Sequence, residues 1–396
     1  MKKIETENRM KNINEAPISA GARILLRADF NVPIQNGKVV DDFRIRKTQE
    51  TLDYLKEKNT IVTVVSHIEN STSSGIKPTL KPVVQILNEL GYPCEFSETI
   101  EAARELSLKK SKEKKFALIL LENIRNYHGE TKNDPDFAKE LATLGNIYIN
   151  DAFSVSHRAH ASIVGVPALL PHFAGFQLAR EVDNLSRAFN PLHPFLFILG
   201  GAKFDTKLPL VKKFLDKADT IFIGGALAND FFKAKGLEVG QSTVSTSSID
   251  FDGLLSNEKI MLPNDLIVDG TGEQKISSPL DVLPTEKILD AGPETLEELR
   301  GKINSAKFIL WNGPLGNYEN GYKEPTHEVA RMIATATKNG AESMIGGGDT
   351  LAAITELKST TGESLENSFT FVSTGGGAML DFLAKGSLPG IDALNS

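Results

Sequence analysis

Two α/β domains, each built on a parallel sheet, are what this sequence predicts. Three observations carry that expectation. The chain has 396 residues, which is room for two domains at roughly 100–200 residues each. Strand-sized apolar runs recur along it, and they are continuous rather than alternating, as in strands buried on both faces of a parallel sheet. Between them lie helix-like segments, so a β–helix–β rhythm continues to the end.

The strand candidates are residues 24–26, 61–66, 116–121, 147–150, 195–199, 220–223, 307–311, 343–345 and 370–372, all drawn mainly from Ile, Val, Leu and Phe. A helix is expected over 42–58 behind Asp42, and another over 135–144 behind Asp134, because an Asp oxygen can accept the first unpaired N–H groups of a helix. Near mid-chain, Pro167 and Pro171 close one block, and Pro191 and Pro194 open the next. Between them Leu178, Val182, Leu185 and Phe189 share one helical face. Residues 173–190 are therefore expected to link a first lobe, 1–172, to a second, 191–381; an ordinary surface helix would carry the same face. The basic run 109–115 reads as a solvated helix end.

Composition narrows the function. Apolar residues make up 40% and charged residues 24%, as in ordinary globular chains. Acidic residues outnumber basic ones, 51 to 44, for a net charge of −7, so no nucleic-acid partner is expected. The single cysteine, Cys94, excludes an intrachain disulfide framework and a Cys-based zinc cluster. Residues 1–16 are polar and charged, without the apolar core of a signal peptide. No apolar stretch approaches the ~18 residues of a membrane span. A soluble, cytoplasmic protein with no membrane partner is the expectation.

The two halves are suited to gripping anions differently. Nine of the twelve arginines precede residue 181, whereas the glycine pairs and triplets lie almost wholly after residue 199. In the second half, Gly200-Gly201-Ala202-Lys203, Gly224-Gly225, Gly346-Gly347-Gly348-Asp349-Thr350 and Thr374-Gly375-Gly376-Gly377 each follow a strand candidate. Glycine lets backbone N–H groups approach a phosphate, and a helix starting there adds its dipole; glycine also serves plain strand-to-helix turns. Neither a P-loop nor a Gly-x-Gly-x-x-Gly fingerprint occurs. Asp349 can serve Mg²⁺ or cap a helix. Lys203 and Lys207 oppose the dipole of the helix they begin, which makes sense if a bound phosphate neutralises them. In the first half, Arg27-Ala28-Asp29-Phe30-Asn31-Val32-Pro33 follows a strand candidate, and Arg44, Arg125, His157, Arg158 and His160 lie at or near later ones. Arginine forks match carboxylate and phosphate oxygens, while Asp29 and Asn31 suit ligand hydroxyls; each arginine alone could equally form a surface ion pair. Two different anion grips imply transfer between two phosphorylated ligands.

At these motifs the chain resembles the phosphoglycerate kinases. The resemblance rests on Arg27 to Pro33, on Leu121-Glu122-Asn123-Ile124-Arg125, on Asn150-Asp151-Ala152-Phe153 with His157-Arg158-Ala159-His160, and on Trp311-Asn312-Gly313-Pro314. It also rests on the glycine clusters and on Leu388-Pro389-Gly390-Ile391-Asp392-Ala393-Leu394. It implies two Rossmann-like lobes joined by a helix, a hinge-closing cleft, a tail 382–396 returning to the first lobe, and a monomer. It implies the glycolytic, reversible transfer of a phosphoryl group from 1,3-bisphosphoglycerate to ADP, giving 3-phosphoglycerate and Mg-ATP. By family position, Asp29, Phe30, Asn31, Arg44, His67, Asn70, Arg125 and Arg158 would hold the glycerate ligand. Gly201, Ala202, Lys203, Lys207, Gly225, Gly292, Asn312, Pro314, Glu319, Gly347, Gly348, Asp349 and Thr350 would hold the nucleotide, with Asp349 on Mg²⁺. Arg44, Lys203 and Lys207 would be catalytic, with Arg44 and Lys203 stabilising the moving phosphoryl group.

One stretch departs from the family's Ser-His-Leu-Gly-Arg-Pro: here it reads Ser66-His67-Ile68-Glu69-Asn70-Ser71. An arginine becomes Asn70, and Glu69 replaces a glycine. Losing a charged hydrogen bond costs ~1.5–3 kcal/mol, so weakened glycerate binding with intact ADP binding is expected. A catalytically weak nucleotide-binding or interaction protein that kept the fold, and a kinase for a different small carboxylate, are the alternative readings.

Overall fold

The apolar runs become strands, and the strands assemble into separate sheets in the two halves of the chain. The computed structural model describes residues 9–69, 77–202, 204–246, 250–251, 253–270, 272–357 and 364–396. Lys203 and Asn70 lie outside the described residues. The chain divides into two units, Met1–Asp183 with Ser387–Ser396, and Asn184–Gly386.

The first unit contains a six-stranded parallel sheet. Its strands are β1 (Arg23–Arg27), β2 (Ile61–Val65), β3 (Cys94–Ser97), β4 (Ala117–Leu121), β5 (Ile147–Asn150) and β6 (His172–Ala174), in the order β3-β4-β2-β1-β5-β6. Every residue of β1 and β2 is buried, which is why their sequences do not alternate. Ile24, Leu26, Val62, Val64, Leu118 and Leu120 form the core with Leu52, Leu55, Val83 and Leu87. The register sets Arg27 beside both Val65 and Asn150, so the loops leaving β1, β2 and β5 start at one level. In an open α/β sheet, ligands bind outside these carboxyl ends.

The expected helix over 42–58 is two helices, Phe43–Lys47 and Gln49–Glu57. They separate at Thr48, whose N–H bonds to the Ile45 carbonyl at 3.1 Å, the tighter three-residue pattern. Asp42 does not cap with its side chain; it accepts from Arg46 Nε at 2.9 Å, and Asp41 accepts the Phe43 N–H. Helix Pro135–Ala142 does open on Asp134, whose carboxylate accepts from the N–H groups of Asp136 and Phe137. The basic run continues helix Ile100–Ser111 into an exposed turn. Within the segment expected as a link, helix Phe176–Ser186 is followed by a 3-10 turn, Arg187–Phe189. Leu178 and Leu185 are fully buried. Gly390 N–H bonds to the Ser156 carbonyl at 2.8 Å, tying the terminal helix Pro389–Asp392 into the first unit.

The second unit carries its own six-stranded parallel sheet. Its strands are β7 (Phe195–Leu199), β8 (Thr220–Ile223), β9 (Ile260–Met261), β13 (Phe308–Asn312), β14 (Glu342–Gly346) and β15 (Phe371–Val372), in the order β9-β8-β7-β13-β14-β15. Three further strands, β10 (Leu266–Asp269), β11 (Gln274–Ser277) and β12 (Lys287–Ala291), form an antiparallel sheet ordered β11-β10-β12. Both units are therefore α/β with parallel sheets. Among the strands absent from the sequence expectation, β3, β6, β9 and β11 are short or partly exposed and carry no long apolar run; β10, with Leu266-Ile267-Val268, and β12 were missed although partly buried. No helix among the described residues is long and apolar enough to cross a membrane.

Candidate functional site

In the first unit, four strand-end loops bring side-chain donors together. Arg27, fully buried at the end of β1, donates from Nε to Ser162 Oγ at 3.0 Å and from an NH2 to His67 Nδ1 at 3.3 Å. A guanidinium only donates, so His67 Nδ1 accepts and the proton of the neutral imidazole sits on Nε2. Burial, with Arg27, Arg125, Arg158 and Arg44 next in order, holds His67 well below the ordinary histidine range. The same surroundings, burial first and then Arg125, Arg158 and Arg27, push His160 down to about 4. Ser162 passes the network to the buried Glu130, to which its Oγ donates at 2.6 Å.

Arg125 and Arg158 converge on one carboxylate, that of Glu69. Its Oε1 lies 3.0 Å from an Arg158 terminal nitrogen, 3.4 Å from that of Arg125 and 4.0 Å from His67 Nε2. Among the described residues, His67 Nε2 and the Nε and second terminal nitrogen of Arg125 are buried without a hydrogen-bond partner. Buried donors are normally satisfied; three left unpaired on two residues that both face Glu69 are donors available to an anion. Beside them, Asp29 receives Arg44 at 2.7 Å and the hydroxyl of Ser154 at 2.5 Å, while Asn31 accepts the Glu69 N–H at 3.0 Å. Of the residues expected here, Asp29, Asn31, Arg44, His67, Arg125 and Arg158 are thus linked in one network. The Phe30 side chain is fully buried in the core, and its N–H donates to Ser66 Oγ at 2.9 Å, so only its backbone stands beside this network. Ser154 and Glu130 join through long-range contacts that no local motif announces.

In the second unit the corresponding loops are glycine-rich. The loops after β7, β8 and β13 border an open pocket with about 850 Å³ of free space, its mouth included. Gly201, Ala202, Gly225, Pro314, Glu319 and Asp349 line it. Gly225 has φ +61°, and a Cβ there would stand 2.6 Å from the Gly201 nitrogen, so only glycine permits the two turns to touch. Lys207 is buried, and its ammonium donates to the Gly200 carbonyl. Thr350 Oγ1 accepts the Gly313 N–H at 2.7 Å, tying helix Gly348–Glu356 to the loop after β13. Asn312 is buried with its Nδ2 unpartnered among the described residues. Gly347 caps that helix at φ +104°, so Asp349 stands in its exposed first turn rather than at the cap.

Of the other residues expected here, Lys207, Gly292, Asn312, Gly347, Gly348 and Thr350 are not among those lining the pocket. Gly292 caps helix Pro293–Ser305, and a side chain there would strike the Asp265 carboxylate. Gly375, Gly376 and Gly377 open helix Gly377–Lys385 and are not among the lining residues. Sequence reasoning missed Asp290 on β12, which lines the pocket nearly fully buried. Its Oδ1 accepts the Ala291 N–H at 2.9 Å, Oδ2 is unpartnered among the described residues, and burial pushes the carboxyl up to about 8.

Comparison with known proteins decides the family. The phosphoglycerate kinase family model matches residues 13–386. The chain belongs to the phosphoglycerate kinase family. It is 39% identical over 392 residues to the phosphoglycerate kinase of Dictyoglomus turgidum, covering 94% of this chain and 96% of that one. It is 40% identical over 390 residues to that of Thermosipho africanus, covering 94% and 95%. Among solved structures, phosphoglycerate kinase from Coxiella burnetii superposes with a TM-score of 0.81 at 31% identity, over 98% of this chain and 99% of that one. The enzyme from Pyrococcus horikoshii gives 0.81 at 31%, over 97% and 98%. Members of this family are phosphotransferases with a carboxyl group as acceptor. This family membership extends over both units, including the arginine network and the glycine-lined pocket.

Proposed function

We propose that the protein interconverts 1,3-bisphosphoglycerate plus ADP and 3-phosphoglycerate plus ATP, as a glycolytic phosphoglycerate kinase. The observation that carries the reading is the set of unpaired buried donors of His67 and Arg125 beside Arg158, a site for a small polyanionic acid. Arg125, Arg158 and His67 bind the acid's phosphate or carboxylate, and Asp29 and Asn31 take its hydroxyl. The glycine pocket takes the nucleotide: the turns at Gly201, Gly225 and Pro314 admit the base and ribose, with Glu319 near the ribose. Lys207, Asn312 and the helix start at Gly347, Gly348 and Thr350 take the phosphates.

The acceptor oxygen is already an anion, so no general base is required. Catalysis is positioning, charge stabilisation and exclusion of water. Arg44 and Lys203 supply positive charge to the phosphoryl group in flight, and a closing step brings the two reactants together. Among the described residues no group of three or more His, Cys, Asp or Glu is arranged for a metal ion. That fits Mg²⁺ held mostly by nucleotide oxygens and water, with the exposed Asp349 as its protein partner. Bound there, the ion would neutralise phosphate charge.

Replacement of the family arginine by Asn70 weakens the acid site and leaves the nucleotide site unaltered. A coupled assay with ATP and 3-phosphoglycerate tests the assignment: robust turnover supports it. No turnover on any acid leaves a nucleotide-binding protein, and turnover confined to other carboxylates makes it a kinase of different substrate.

A further inference from the structure

We infer that Glu69 determines acid specificity by occupying the anion site itself: its carboxylate bridges Arg125 and Arg158, and an incoming acid must displace it. The identity of the acid rests on the proposed kinase reading; the occupation of the arginine pair does not.

The geometry separates this role from a plain structural ion pair. Only one oxygen of Glu69 engages the arginines, at 3.0 and 3.4 Å, and it reaches no closer than 4.0 Å to His67 Nε2. It therefore leaves the buried donors of His67 and Arg125 unpaired among the described residues. A carboxylate placed for stability would satisfy those donors first, because an unsatisfied buried donor is the larger penalty. A half-exposed ion pair adds little stability in any case, and the Glu69 side chain is 48% exposed.

The same geometry makes the occupant removable. The Glu69 backbone is fixed, its N–H held by Asn31 Oδ1 at 3.0 Å, and Ile68 is held on both sides by the Asn123 amide. Only the side chain has to turn, and solvent is open to it. A phosphate or carboxylate that uses the remaining donors would come within a few ångströms of the Glu69 charge. Like charges at that range repel, so ligand and Glu69 exclude one another. The site is held at rest by its own carboxylate, and a ligand must offer more acceptor oxygens than Glu69 does.

The test uses the full chain and two variants, Glu69→Gln and Glu69→Asp. Isothermal titration with inorganic phosphate reads the anion site without requiring turnover. Steady-state kinetics with 3-phosphoglycerate and ATP reads the acid and nucleotide sites separately. For Glu69→Gln, phosphate binding tightens roughly 5- to 30-fold, the span between a weak exposed pair and a charged hydrogen bond. The KM for 3-phosphoglycerate falls by a similar factor, while the KM for ATP stays within about twofold. Glu69→Asp keeps the charge and stays within about threefold of the parent in phosphate binding. Unchanged or weaker phosphate binding in Glu69→Gln overturns the inference, as does a change in the ATP KM equal to that for the acid. If the parent chain turns over no 3-phosphoglycerate, the kinase reading falls, and the phosphate titration still decides the role of Glu69.

Discussion

Replacing Asp290 by Asn tests whether the glycine-lined pocket of the second unit is built around a neutral carboxyl. Asp290 is 3% exposed, keeps one oxygen on the Ala291 N–H, and is pushed by burial from an ordinary 3.8 up to about 8. Its folded-state pKa is therefore raised, and between about 4 and 8 the folded chain holds a proton that the unfolded chain has released. Stability from this group is fully present below the unfolded value, and it drains away as pH rises through the folded one. The limiting slope is about 1.4 kcal/mol per pH unit. Between pH 5 and 7 the parent should then lose about 1–3 kcal/mol relative to Asp290→Asn, the lower figure allowing for water reaching the carboxyl. The amide keeps the acceptor for Ala291 and cannot ionise, so any constant cost of its buried N–H₂ leaves the slope untouched.

Urea unfolding of both proteins at half-unit steps from pH 5 to 8 measures the difference, read on a probe in the second unit such as Trp311 fluorescence. A gap that widens with pH in favour of the variant supports the argument. Curves that run parallel over that range refute it, because the carboxyl would then be ionised in the folded chain like any surface Asp. The functional corollary is electrostatic. If the pocket takes the nucleotide as proposed, a neutral Asp290 does not repel its phosphates, so ADP affinity of the parent should fall above pH 8 while that of Asp290→Asn should not.

Three further outcomes are expected. Ser162→Ala removes the hydroxyl that accepts from Arg27 and donates to buried Glu130, and should destabilise the first unit by about 2–4 kcal/mol in urea unfolding; a change below 0.5 kcal/mol, a surface-like value, would discount the network. His67 and His160 both have depressed folded-state values, His160 near 4, so the stability they confer is complete above 6.5 and is lost as pH falls towards 4; an NMR titration showing either imidazole protonating near 6.5 would contradict the burial argument. Joint Asn70→Arg and Glu69→Gly should lower the KM for 3-phosphoglycerate roughly 10- to 150-fold with the ATP KM unchanged, and no gain would show that this departure from the family does not limit acid binding.

What the sequence made legible follows from the range of the interaction involved. β5, β7 and β8 run where continuous apolar segments placed them, because burial on both faces writes itself into consecutive residues. Edge strand β3, Cys-Glu-Phe-Ser, is only partly buried and carries no such run. Helix 42–58 read as one element because the break at Thr48 is a change of hydrogen-bond pattern, not of amphipathic face. The arginine network was legible as strand-end residues, since parallel strands in register deliver their loops to one edge. Which way the Phe30 ring turns, into the core, is not written in its place between Asp29 and Asn31.

Glu69 shows where such reading stops. Its place beside the anion motif is visible in the sequence, and a carboxylate there repels an anionic ligand. That Glu69 instead meets Arg125 and Arg158, 56 and 89 residues away, depends on three loops from different strands arriving together. The distinction changes the physics. A distant like charge weakens every anion by a screened amount, whereas a carboxylate seated on the arginines competes stoichiometrically and favours ligands with more oxygens than itself. Salt dependence separates the two: long-range repulsion fades across a tenfold rise in an inert salt, and the advantage of Glu69→Gln for phosphate should persist through it.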